Sequence, residues 1–87
     1  MDLRDATRMI LSESAPYPEL MRVTQAAHDE LSFGRPVDHT VLNGILREAA
    51  RKGLFSGLRA KYGVEAFEDM VTVLAKEIDR QAPVVRR

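Results

Sequence analysis

Apolar side chains recur three and four residues apart in four clear stretches of this chain and a fifth short one, with breakers between them. That spacing puts them on one face of an α-helix. The first stretch carries Leu3, Ala6 and Ile10 with Met9 beside them; Asp2 is placed to cap it, and Ala15-Pro16-Tyr17-Pro18 ends it by Ser14. Pro18 suits the first turn of a second helix, where its missing N–H costs nothing, and Leu20, Val23, Ala27 and Leu31 follow at helical spacing. Gly34 and Pro36 stop that helix, which makes Ser32 to Val37 a short loop.

Asp38 is the strongest N-cap in the sequence, and behind it Val41, Leu42, Ile45, Leu46 and Ala49 form a broad apolar stripe ending at Gly53. Gly44 sits inside that stretch, where a glycine costs about 0.5–1 kcal/mol relative to alanine. It either permits a close helix crossing or is tolerated. Residues 54–63 fit a short helix through Phe55, Leu58 and Tyr62, or a small hairpin through Ser56-Gly57 and Gly63; the pattern favours the helix. In the last stretch Val64, Phe67, Val71, Leu74 and Ile78 alternate three and four apart, with Met70 widening the stripe. Acidic Glu65, Glu68 and Asp69 come early and Lys76 and Arg80 late, which suits the helix dipole. Pro83 closes it and leaves Val84 to Arg87 as a frayed tail. The expected fold is therefore all-α. It is a compact bundle of four or five short helices over residues 1–82, with room for a helix-turn-helix arrangement in the middle.

A chain of 87 residues holds one modest core and little material for a deep cleft. It has no cysteine, so disulfides and thiolate zinc sites are impossible. No charged-then-apolar leader opens it, and no run approaches the roughly 18 apolar residues of a membrane span. These features fit a cytoplasmic protein. Net charge is zero, but residues 35–61 carry Arg35, Arg47, Arg51, Lys52, Arg59 and Lys61 against Asp38 and Glu48. The basic middle lies between two acidic flanks, a hint about partners rather than fold.

Catalytic constellations are scarce. His28 adjoins Asp29 and Glu30, and His39 adjoins Asp38, but neighbouring helical positions point about 100° apart and should not converge. Neither histidine belongs to a spaced pair of metal ligands, and serines 12, 14, 32 and 56 have no discernible base. The expectation is a protein without enzymatic activity, metal or cofactor.

One segment suggests a partner class. Val37 to Phe55, VDHTVLNGILREAARKGLF, resembles the recognition helix and exit of bacterial winged-helix transcription regulators. A small capping residue, Asp38, opens the helix; Val41, Leu42, Ile45 and Leu46 pack it; Gly53-Leu54-Phe55 would lead into the wing. The resemblance implies that His39, Thr40, Asn43 and Arg47 face outward, with Arg51 and Lys52 near the exit, able to read base edges and hold phosphates.

Taken together, the sequence predicts a small macromolecule-binding protein. A protein-binding adaptor, regulator or inhibitor, of the kind mobile elements also encode, comes first, and helix-turn-helix DNA binding is the alternative. The last apolar stripe carries its own choice. Phe67, Val71, Leu74 and Ile78 either pack into the domain's core or form the seam of a homodimer.

Overall fold

The first helix starts where its caps are. The Asp2 carboxylate accepts the Asp5 N–H at 2.9 Å, and the Asp5 carboxylate returns to the Asp2 N–H at 3.3 Å. Two otherwise orphaned donors are thereby satisfied together. In the computed structural model, which describes residues 1–82, this opens α1 (Leu3–Ser12), followed by α2 (Pro18–Ser32), α3 (His39–Arg51), α4 (Leu54–Tyr62) and α5 (Val64–Gln81). The boundaries follow the chemistry read from the sequence. Pro18 occupies the first turn of α2, and Asp38 caps α3 by accepting the Thr40 N–H at 2.9 Å. Pro83 and the tail 83–87 lie outside the described residues.

Residues 54–62 are helical, not a hairpin. Gly53 adopts φ 77° and Gly63 φ 91°, left-handed values that side chains rarely tolerate. The two glycines let the chain leave α3, form one short helix, and enter α5 with no intervening loop. The exit that resembled the approach to a wing therefore runs into α4, and the described residues contain no strand.

Helices α1, α2, α3 and α5 form a ring in which each packs on the next, and α4 closes one side against α5, α3 and, more lightly, α1. Inside the ring, Ile10, Leu42, Ile45, Leu58, Met70 and Leu74 are each less than 2% exposed. Side chains of this size stabilise by about 1.5–3 kcal/mol apiece when removed from water. Phe55 meets Phe67 edge-to-face with ring centroids 5.1 Å apart, joining α4 to α5.

The last apolar stripe resolves toward the core. Phe67, Met70 and Leu74 are buried within this chain, and Val71 and Ile78 are half-buried against the same cluster. A homodimer seam through Phe67 and Leu74 would require opening the domain that contains them. The α3 stripe is less completely used: Leu42, Ile45 and Ala49 are buried, Leu46 is half-buried, and Val41 stays 38% exposed.

Candidate macromolecule-binding faces

Two faces of α3 bear on recognition. The first looks straight outward. At 100° per residue, Thr40, Arg47 and Arg51 fall on one line opposite the buried Leu42, Ile45 and Ala49, and all three are exposed. His39 and Asn43 sit to one side of that line and are half-buried. Lys52 lies past the helix end on the other side, its ammonium 5.5 Å from the centre of the Tyr17 ring. Five of the six residues expected to face a partner thus share one broad side of α3, about 120° of its circumference, and Lys52 stands apart. Several are also engaged. Both the N–H and the hydroxyl of Thr40 go to Asp38, and Arg51 forms a two-pronged pair with Glu48 at 2.9 Å. Arg47 has no ion-pair partner among the described residues.

His39 corrects an expectation. Its Nδ1 lies 3.2 Å from the Asp38 carboxylate, although adjacent helical side chains should diverge. Asp38 is the capping residue and has extended backbone, ψ 140°, so the helical rule does not govern it. The Asp38 carboxyl is held below the usual carboxylate range, chiefly by the Thr40 N–H, then by the Thr40 hydroxyl, with the neighbouring imidazole a smaller contribution. The arrangement is a helix cap.

The second face was not anticipated. Between α2 and α3 runs an open groove, about 500 Å³ where Val23, Ala26 and Ala27 of α2 face Pro36, Val37 and Val41. It continues, over a smaller volume of about 240 Å³, between Leu20 and Val23 on one wall and Val41, Gly44 and Ile45 on the other. It ends near Pro16, Tyr17, Arg51 and Lys52. The floor is apolar and most of the ions on the lips are closed among themselves, Glu19 with Arg22, Glu30 with Arg35 and Glu48 with Arg51, with Asp38 and Lys52 at the two ends outside these pairs. Mutual hydrogen bonding lowers the carboxyl pKa values of Glu19 and Glu48 and raises the guanidinium values of Arg22 and Arg51. At the wide end Phe33 stands 72% exposed, with the Arg35 guanidinium 4.9 Å from its ring centre. The signals that could have located this groove are the breadth of the α3 stripe, with Val41 at its edge, and the mid-helix Gly44.

Elsewhere, polar groups serve structure. Buried Thr7 on α1 approaches His28 Nδ1 on α2 at 3.1 Å and also contacts the Leu3 and Arg4 carbonyls, tying the two helices together. The hydroxyls of Ser12, Ser14 and Ser56 donate to carbonyls three residues back in the chain. Among the described residues no three His, Asp or Glu side chains are grouped to hold a metal ion, and no helix is long and apolar enough to cross a membrane. Compared with known proteins, the chain matches no family model, no curated protein and no solved structure.

Proposed function

We propose that this chain is a small non-enzymatic protein that acts by binding another protein, as an adaptor, regulator or inhibitor, and that the α2–α3 groove is its contact surface. One observation carries the reading: Val41 stands 38% exposed on the wall of an apolar groove along which three acid–base pairs of the lips are already closed. Apolar surface with satisfied rims is what a partner's side chains gain by covering, whereas single exposed apolar residues elsewhere need no explanation. The serine hydroxyls turned toward carbonyls and the histidines held by Thr7 and Asp38 support the non-enzymatic part.

The test is capture from the native host with nuclease treatment, comparing the natural chain with Val41→Glu. A charge placed there should leave the fold intact and reduce recovery of the bound protein at least about ten-fold, a loss typical of a central contact. Equal recovery by both forms would overturn the reading. Nucleic acid is the second reading. It draws support from the exposed Arg47, without an ion pair among the described residues, on the outward line with Thr40 and Arg51, and from the basic middle of the chain. There, affinity for duplex DNA should fall steeply with salt.

A further inference from the structure

We infer that the α2–α3 groove receives an amphipathic helix of the partner protein, about three turns long, that crosses α3 at Gly44. This rests on the protein-binding reading and names the shape and chemistry of what is bound.

Length comes first. The groove follows α2 from Glu19 to Glu30, about 16 Å at the helical rise of 1.5 Å per residue, which is three turns of a helix lying alongside. Apolar anchors at i, i+3 or i+4, and i+7 would meet a floor made by Val23, Val41 and their neighbours.

Gly44 is the second argument. It lies within α3, where glycine is destabilising, and the chain itself gives no reason for it: an added Cβ would meet nothing within 4 Å. Its missing side chain opens into the groove at the stretch lined by Leu20, Val23, Val41 and Ile45. A vacancy of that kind lets the backbone of another helix approach α3 closely, as small residues do at tight helix crossings.

Charge and shape select the occupant. Glu19–Arg22 and Glu30–Arg35 on one lip and Glu48–Arg51 on the other are closed pairs, which leaves Asp38 at the wide end and Lys52 at the far end as the lining charges outside them. A helix of one strong sign would meet a like charge at one of these ends and closed pairs between them, so the matching helix has uncharged polar or mixed-sign flanks. A second copy of this chain does not supply such a helix. Its large exposed apolar residues in the described part (Met1, Met21, Phe33, Val41 and Val64) form no three-turn stripe, and two concave grooves do not fill each other.

The experiment titrates isotope-labelled protein with two synthetic peptides of about 14 residues, long enough for three turns. One has leucines at helical spacing among alanine, glutamine and serine; the other has the same residues scrambled. The ordered peptide should shift the amide signals of Val23, Val41 and Gly44 saturably, and the scrambled one should not. Gly44→Ala should raise the melting temperature by a few degrees while weakening the ordered peptide at least about ten-fold. Ala26→Glu, an exposed change on the opposite wall, should weaken it too.

Several results overturn the inference: no saturation by about 1 mM peptide, the weakest affinity worth the name; equal shifts from the scrambled peptide; or unchanged affinity in Gly44→Ala. Duplex DNA moving these amides where the peptide does not would also overturn it. So would a dimer in sedimentation that Val41→Glu dissolves. The two readings fail separately. Host capture lost in Val41→Glu without peptide binding discards the helix and keeps the protein partner, while capture indifferent to Val41→Glu discards both.

Discussion

Helices α3 and α5 present apolar stripes of similar quality in the sequence, yet the fold uses them differently. In α5, Phe67 is 6% exposed and Met70 and Leu74 are fully buried, because α1, α3 and α4 all pack on it; Val64 in its first turn is the exception, at 57% exposed. In α3 the centre of the stripe is equally buried, but the flank toward α2 is left partly open, with Val41 38% exposed and Gly44 facing empty space. Each helix has three neighbours, so the difference lies in how closely they approach, not in their number or in stripe composition. A stripe broader than its neighbours can cover leaves apolar surface for something outside the chain, and that surplus is what marks the groove.

The sharpest way to break the comparison is to remove the centre of the α5 stripe. Leu74→Ala should lower stability by roughly 2–5 kcal/mol, the range for fully buried leucines, read as a shift of the chemical-denaturation midpoint. If stability held while a dimer dissociated in sedimentation, Leu74 would be a seam between chains, and the contrast between α5 and α3 would vanish.

This contrast also explains how far the sequence could be read. The helix starts were legible because each cause is local: the Asp2–Asp5 capping box, Pro18 in a first turn, the Asp38 cap. Gly53 and Gly63 are equally local but ambiguous, since a positive φ serves a hairpin as well as a junction between helices. The groove was not legible, because it depends on how closely α2 approaches α3, and no residue spacing encodes that distance. Only its traces were visible, as a wide stripe and a glycine out of place. The outward residues of α3 are legible by spacing and side-chain chemistry. Which of them remain free was decided by partners one to four residues away, as with Thr40 on Asp38 and Arg51 on Glu48.

Helix α2 contributes to both the groove and the ring, and it contains an anomaly that separates the two roles. Thr24 is fully buried, and its hydroxyl oxygen has no hydrogen-bond partner. Replacing a hydroxyl that has lost water and found no partner with a methyl of similar shape removes a desolvation penalty. Thr24→Val should therefore stabilise the fold by about 1 kcal/mol, raising the melting temperature by several degrees. Because Thr24 does not line the groove, peptide affinity should stay unchanged. A loss of stability would mean that the hydroxyl is satisfied after all.

Acid should distinguish α3 from α5 by their caps. The Asp38 carboxyl is held low by the Thr40 N–H, and the Asp2 carboxyl by the Asp5 N–H, whereas α5 begins at Gly63 with no side-chain cap. A carboxyl with a depressed folded-state pKa contributes stability above its unfolded value and loses it as pH falls through the folded one. Melting temperature should be flat from neutral pH downward and decline below about pH 4, where ordinary aspartates begin to protonate. The α5 carboxyl that is similarly lowered, Glu77, sits near the far end of that helix beside Arg80 and Gln81. Amide exchange in the first turns of α1 and α3 should thus accelerate before that in the first turn of α5. The opposite order would remove the caps from the account.

The smallest expected effect belongs to Arg47, and it separates the two faces of α3. Its side chain is exposed on the outward line and unpaired among the described residues, so Arg47→Ala removes no ion pair and no part of the groove. The melting temperature should not move, and neither should the capture of a protein through the groove. On duplex DNA the two readings diverge. If phosphates dock on this line, each neutralised contact releases counterions and the logarithmic salt slope is about −0.9 per contact, so Arg47→Ala should flatten it by about one unit. Asn43→Ala should instead alter sequence preference, since an amide reads base edges and carries no charge. Absence of binding to duplex or single-stranded DNA at tens of micromolar protein in about 50 mM salt, where basic binders associate without specificity, would eliminate the outward face as a nucleic-acid surface. Binding that disappears in the Arg47/Arg51/Lys52 triple alanine variant with the fold intact would reverse the ranking. The groove would then be the lesser of the two faces.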